Sequence, residues 1–315
     1  VSGAEAEGGN AGRGAVVLSD EVRAALAKGR GVVALESTIL CHGLPYPKSL
    51  ETHRAAEAAV RRAGAVPALV AVLDGVPRAG FDDASTEALA RAGSRVRKAS
   101  TRDLGLLAAR GESGATTVAA TMAIAAAAGI RVFATGGIGG VHRGAEETFD
   151  VSADLRELSR TRVAVVAAGA KAVLDLPKTL EALETLGVPV VGFGTAELPA
   201  FWMRGSGLPL EVVCDDAAEV ARLARAHWAW PASGGILVAN PVPAEAALPR
   251  EVVEGAIVRS LAAAREQGVA GKAVTPFLLA RLAEETGGRT LAANEALVVS
   301  NAGVAARIAV AFAAG

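Results

Sequence analysis

Short, continuous apolar runs alternate along this chain with stretches of helical spacing. The runs 31-GVVALEST-38, 68-ALVAVLDG-75, 130-IRVFATGG-137, 162-RVAVVAAG-169, 188-VPVVGFGT-195 and 235-GILVAN-240 do not alternate with polar residues. That pattern belongs to strands buried on both faces, inside a parallel sheet. Between them, 49-SLETHRAAEAAVRRAG-64 starts on Ser, carries a charged face and stops on Gly, as a helix does. Further helices are expected over 83–93, 115–128 and 176–186, with a short strand over 95–100. The alternation predicts an α/β fold with a mostly parallel sheet covered by helices on both faces. From residue 248 the strand signal stops. Three helical segments, 248–268, 274–288 and 292–315, are expected to pack over the sheet and close one end of the site. The opening VSGAEAEGGNAGRG (1–14) has no apolar core and reads as a flexible tail, leaving 15–315 as a single domain.

Composition then narrows the function classes. Half of the residues are apolar, enough to fill a large core, and 32 basic against 33 acidic residues leave a formal charge of -1. Interspersed charge near zero gives no footprint for nucleic acid or an anionic membrane, so neither is expected as a partner. No apolar run of about 18 residues or more is free of charge or glycine. The segment 115-ATTVAATMAIAAAAGI-130 comes closest and reads as a buried helix. Cys41 and Cys214 fit no CxxC or metal pattern, so a reduced, cytoplasmic protein with unpaired thiols is expected.

Ligands of open α/β sheets bind beyond the carboxyl ends of the strands. That rule selects Glu36, Lys98, Thr135 and Lys171, each at or near a strand end. Glu36 before Ser37 and Thr38 could instead cap a helix, and a strand-end lysine such as Lys98 is commonly a solvated surface group. Lys171 lies within AAGAKAVL. Apolar surroundings disfavour its charged form, the usual route to a Schiff-base lysine. The stretch 133-FATGGIGGVHRGAEETFDVSADL-155 is not a dinucleotide loop, because the third glycine of G-x-G-x-x-G falls on His142. It reads better as an anion or sugar-phosphate cradle of glycine amides, with His142 and Arg143 adding charge. Asp150 and Asp154 bracket Ser152 and suit a hard cation; capping of the helix that follows by Ser152 or Asp154 is the competing reading.

Together the blocks ALESTI (34–39), HGLPYP (42–47), RKAS (97–100), SGATTVAATM (113–122), 133–155, 167–195, ILVANPVP (236–243) and TLAANEALV (290–298) resemble the pseudouridine-5'-phosphate glycosidase family, in order and across nearly the whole chain. The resemblance implies reversible cleavage of the C–C glycosidic bond of pseudouridine 5'-phosphate to uracil and ribose 5-phosphate. It implies Lys171 as the nucleophile at C1′, forming an imine with the opened sugar, and Glu36 as proton donor. Lys98, Val118, Ser152, Ala153 and Asp154 are then substrate contacts, with Thr135 and His142 beside them. Asp150 holds one Mn²⁺ largely through water, Asn294 faces uracil or sugar, and the assembly is a homotrimer. A C-glycoside has no leaving oxygen or nitrogen to protonate, so paired carboxylates alone do not suffice. A sugar opened to an iminium supplies the electron sink that lets carbon depart. Ala167, Ala168 and Ala196 depart from the family pattern, and altered packing or rim contacts are expected there. Two alternatives keep the same features: another Schiff-base lyase on a different sugar phosphate, and a non-enzymatic sugar-phosphate-binding protein.

Overall fold

The Val-, Ala- and Leu-rich runs fold as buried strands, and the amphipathic stretches between them cover those strands as helices. The computed structural model describes residues 16–231, 233–269 and 274–315; the expected tail over 1–14 lies outside the described residues. The strands are β1 (Val17–Leu18), β2 (Val32–Glu36), β3 (Val66–Leu73), β4 (Val76–Ala79), β5 (Arg97–Ala99), β6 (Gly114–Thr116), β7 (Val132–Ala134), β8 (Ala164–Ala167), β9 (Val190–Phe193), β10 (Val212–Cys214) and β11 (Ile236–Ala239). The first helices are α1 (Asp20–Ala27), α2 (Lys48–Arg62), α3 (Asp83–Ala92), α4 (Thr101–Arg110), α5 (Val118–Ala127) and α6 (Ala145–Thr148). Then come α7 (Ala153–Leu158), α8 (Leu176–Thr185), α9 (Ala217–Trp228), α10 (Arg250–Glu266), α11 (Val274–Glu285) and α12 (Arg289–Ala313).

The strands form one sheet in the order β1-β4-β3-β2-β7-β8-β11-β9-β10, with β6 pairing both β3 and β5. Along its centre the pairing is parallel, and every residue of β2, β8 and β11 is buried. The mostly parallel α/β expectation therefore holds. One region runs the other way. β4 and β6 are antiparallel to β3, and β5 follows β6. This ribbon was hidden in the sequence because VPRA is short and carries a proline, and because Gly114–Thr116 merges with the apolar helix after it. The helix expected from 115 begins only at Val118, since Ala115 pairs with Ala71 on one side and Lys98 on the other.

In the centre, β2, β7 and β8 lie side by side with Leu35 opposite Ala134 and Ala134 opposite Val166. The residues that follow these levels, Glu36 and Thr135 among them, open onto one rim. Helix α12 packs against α2 and α9 and reaches β2, β7 and β8, whereas α5 packs with α7 and reaches β2, β3 and β4. Helices thus cover both faces. At Gly31 the backbones meet: a Cβ there would lie 2.7 Å from the Ala309 carbonyl carbon. α12, and not the 115–130 segment, is the longest apolar helix; among the described residues it alone has the length and composition to cross a membrane. Its contacts are those of a core helix. Cys41 and Cys214 are buried and unpaired with each other, and burial pushes the Cys41 thiol up to about 12.

Candidate active site

Parallel pairing brings Glu36 to the end of β2 beside Thr135, whose hydroxyl donates to Glu36 Oε1. Glu36 is 6% exposed and caps no helix. Burial pushes its carboxyl above the ordinary 4.5, against the pull of Lys171 and the hydrogen bond from Thr135. Lys171 follows β8 and is held by the glycine loop, its N–H donating to the Ile138 carbonyl at 3.1 Å. Ala170, Ala172 and Val173 around it are buried, while Lys171 itself is only partly so and faces a cavity. Lys98 reaches that cavity from the middle of β5, on the reversed ribbon and not from a parallel strand end.

These groups stand where two chambers meet: Glu36, Lys98 and Lys171 line both. The larger chamber, about 580 Å³, is polar and takes in Val118, His142, Asp150, Ser152, Ala153 and Asp154. The other is apolar, walled by Phe201, Leu279, Leu297 and Val298, and contains Thr135 and Asn294. The structure thus gathers these residues at one site, but not Arg143, whose guanidinium donates to the Leu174 and Ala172 carbonyls and lines a separate cavity. Two helix starts face the polar chamber, α4 at Ser100–Thr101 and α5 at Thr117–Val118. The helix dipole favours an anion at such starts, and carboxylates already take part of their N–H groups: Asp103 accepts from Ser100 N at 3.0 Å and Asp154 from Ala119 N at 2.9 Å. Among the described residues the Thr117 hydroxyl at the α5 start is buried without a partner. Burial lowers the His142 imidazole below its ordinary value, while Asp150, with Nδ1 and Oδ2 3.8 Å apart, opposes the shift.

The glycine loop differs from the cradle expected of it. Gly139 N–H donates to Asp154 Oδ2 at 2.8 Å, Ile138 N–H to Gly169 and Val141 N–H to Thr179 Oγ1. Much of its donor capacity is therefore spent within the protein. Close approach explains the glycines: a Cβ would stand 2.2 Å from Ser152 Oγ at Gly139, 2.4 Å from Thr179 Oγ1 at Gly140 and 2.7 Å from the Phe201 ring at Gly137. Asp154 is a strut. Its second oxygen accepts from Ala119 N at 2.9 Å, tying the loop to α7 and α5. Ser152 caps α7 by accepting from Asp154 N at 3.2 Å, so the capping reading holds for it.

Other groups in the site escaped the sequence. Asn301, fully buried on α12, donates to the Thr135 carbonyl at 2.8 Å and accepts from Asn240 at 2.8 Å. Ser37 Oγ accepts from Thr116 N at 2.7 Å, and Thr116 Oγ1 donates to Val70 O at 2.7 Å, locking β6 to the end of β2 and to β3. Phe201 adopts φ 64, a left-handed conformation costing on the order of 1–3 kcal/mol in a non-glycine residue. Such partners lie tens of residues apart in sequence and leave no local pattern. Ala167 and Ala168 are fully buried beneath the site and Ala196 is exposed, so these departures fall on packing and surface.

Comparison with known proteins gives this geometry a family. The profile described as indigoidine synthase A like protein matches residues 21–311. The chain is 57% identical over 299 residues to the pseudouridine-5'-phosphate glycosidase of Paracoccus denitrificans, covering 95% of this chain and 98% of that one. It is 54% identical to the glycosidase of Myxococcus xanthus, covering 94% and 98%. The chain belongs to the pseudouridine-5'-phosphate glycosidase family. It is accordingly an enzyme. Among solved structures it resembles a prealnumycin C-glycosynthase in complex with ribulose 5-phosphate, with a TM-score of 0.89, 42% identity and coverage of 96% and 98%. An indigoidine synthase A-like protein from Thermotoga maritima matches with a TM-score of 0.86, 38% identity and coverage of 95% and 97%.

The sequence raised the expectation of a divalent metal at Asp150. Among the described residues no group of three or more His, Cys, Asp or Glu side chains is placed to hold an ion. Asp150 alone offers a partly exposed carboxylate to the polar chamber. One carboxylate suits a hard cation that keeps several waters and takes its other ligands from a phosphate. The residues fit that kind of site and not an all-protein cage.

Proposed function

We propose that this enzyme reversibly cleaves the C–C glycosidic bond of pseudouridine 5'-phosphate, giving uracil and ribose 5-phosphate. The observation that carries the reading is the placement of Lys171 and Glu36 where an apolar chamber meets a polar one. The base occupies the apolar side and the phosphate the side of the α4 and α5 starts. The Lys171 amine attacks C1′, and the C1′–O4′ bond breaks as Glu36 gives its proton to the ring oxygen. The attached nitrogen passes a proton back to Glu36, and its freed lone pair expels uracil as C5 takes that proton up, leaving an iminium between Lys171 and the opened sugar. Water hydrolyses that iminium to ribose 5-phosphate and frees the amine. Substrate and one water are consumed; uracil and ribose 5-phosphate are released.

Lys98 and His142 place positive charge and a donor beside the sugar phosphate, and Thr135 holds Glu36. Val118, Ser152 and Ala153 shape the polar chamber, with Asp154 bracing it, and Asn294 faces the base. Asp150 would hold Mn²⁺, which when bound offsets phosphate charge. The subunits assemble as a homotrimer, to be checked by light scattering at three times the 31.6 kDa chain. Support for the substrate comes from relatives above 50% identity that carry this glycosidase name, and from the sugar phosphate in the C-glycosynthase structure.

The test mixes the protein with uracil, ribose 5-phosphate and Mn²⁺ and looks for pseudouridine 5'-phosphate by chromatography. Product that disappears with a chelator is expected. No product, with authentic pseudouridine 5'-phosphate left uncleaved, would turn the reading to a different sugar phosphate or to a binding protein.

A further inference from the structure

Asn294 enters the apolar chamber with its orientation already decided. Its Oδ1 lies 2.7 Å from the indole Nε1 of Trp202. An indole N–H only donates, so the group it meets must be the amide oxygen. The amide's NH₂ is left over, and among the described residues no acceptor takes it. Asn294 lines the chamber together with Phe201, Leu297 and Val298.

Trp202 is fixed in turn. It is fully buried, its carbonyl accepts from Leu248 N at 2.9 Å, and its ring packs 5.0 Å from that of Phe201. Phe201, in its left-handed conformation, is anchored by its N–H to Ala168 O at 2.9 Å. One turn of chain thus lays the Phe201 ring along the glycine loop and sets the Trp202 indole against Asn294. Neither aromatic was marked by the sequence reading.

We propose that Trp202 is a positioning residue that holds the Asn294 amide with its NH₂ towards the apolar chamber, so that this chamber selects a base presenting a carbonyl oxygen. The inference rests on the function proposed above and adds how the base is chosen. Uracil offers a carbonyl where cytosine offers an amine, and two donors facing each other leave both unsatisfied.

The experiment compares wild type, Trp202→Phe, Asn294→Ala and the double variant. Uracil binding is read by calorimetry, KM for uracil and for ribose 5-phosphate in the synthetic direction, and folding by thermal melting. Trp202→Phe is expected to weaken uracil about three- to tenfold, the worth of one hydrogen bond, while KM for ribose 5-phosphate stays within about twofold. Cytosine should gain relative to uracil in this variant, because the released amide can turn its oxygen inward. In the Asn294→Ala background the Trp202 change should add nothing to the loss of uracil, since it acts through that amide. Losses that multiply independently, or an equal rise in both KM values, would overturn the proposal.

Should Trp202→Phe fail to fold, Asn294→Asp decides. A carboxylate keeps an oxygen for the indole and turns a second one to the chamber, so uracil should weaken by about tenfold or more; unchanged uracil affinity overturns the inference. A wild type that binds uracil but makes no product refutes the reaction, and the affinities alone then judge the role of Trp202. A wild type that binds no uracil refutes the carbonyl-selecting chamber.

Discussion

Glu36 sits where burial and a neighbouring lysine pull its proton in opposite directions, and burial prevails. An upward shift brings a carboxyl closer to what a proton donor to the sugar ring oxygen requires. The same shift has a cost in stability. The folded carboxyl titrates above the ordinary value of 4.5, so between those two pH values the folded state binds more protons than the unfolded one. Stability therefore falls as pH rises through that window. Glu36→Gln keeps an acceptor for Thr135 but binds no proton. It should melt higher than wild type above the raised pKa, with the difference closing as pH falls towards 4.5. Its turnover should fall by at least about a hundredfold, within the usual contribution of a general acid. A melting difference independent of pH would contradict this account of Glu36. Glu36 and Lys171 could be picked out from sequence because strand ends are identifiable and charge is out of place there. Asn301 and Trp202 could not, because each acts on a partner in another element and neither breaks its local pattern.

Among the elements, one carboxylate ties the loop 136–142 to α7 and α5. Asp154 accepts from Gly139 and Ala119, so Asp154→Asn would set an amide N–H against a backbone N–H. That change should destabilise by about 1–3 kcal/mol, the penalty for a buried group left unsatisfied. It should also raise KM for the sugar phosphate, and steady-state kinetics with denaturant melts would check both. An Asp154→Asn protein as stable as wild type would mean that the strut does not hold the loop. The glycines themselves were visible as a cluster, and their nearness to a site followed from the strand before them. Their cause was not visible: Ser152, Thr179 and Phe201 crowd them from three directions. The cap by Ser152 was legible, being a matter of residues only two positions apart.

For the whole molecule, the order of buried strands and helices was written in the spacing of apolar residues, and so was the switch to helices after residue 248. The reversed β4–β6 ribbon was not, and it is the ribbon that delivers Lys98. The closing helix α12 unites scales by pressing on the sheet at Gly31 and presenting Asn294 and Asn301 to the site. Gly31→Ala would place a methyl 2.7 to 2.8 Å from the Ala309 and Val310 backbone, which cannot yield as a side chain would. A loss of about 1–3 kcal/mol is expected, read as a drop of several degrees in melting temperature. Turnover should fall with it, because α12 carries groups that set Thr135 and the base chamber. A Gly31→Ala protein with unchanged melting and kinetics would show that α12 can shift without consequence.

The covalent role of Lys171 is the central claim, and trapping tests it most directly. The protein is incubated with pseudouridine 5'-phosphate and Mn²⁺, treated with borohydride, and its peptides are weighed by mass spectrometry. A reduced five-carbon sugar phosphate on Lys171 is expected, absent from Lys171→Ala, whose turnover should drop by at least about 10³-fold while its fold is retained. Uracil release without an adduct on Lys171, or near-normal turnover by Lys171→Ala, would contradict the imine mechanism.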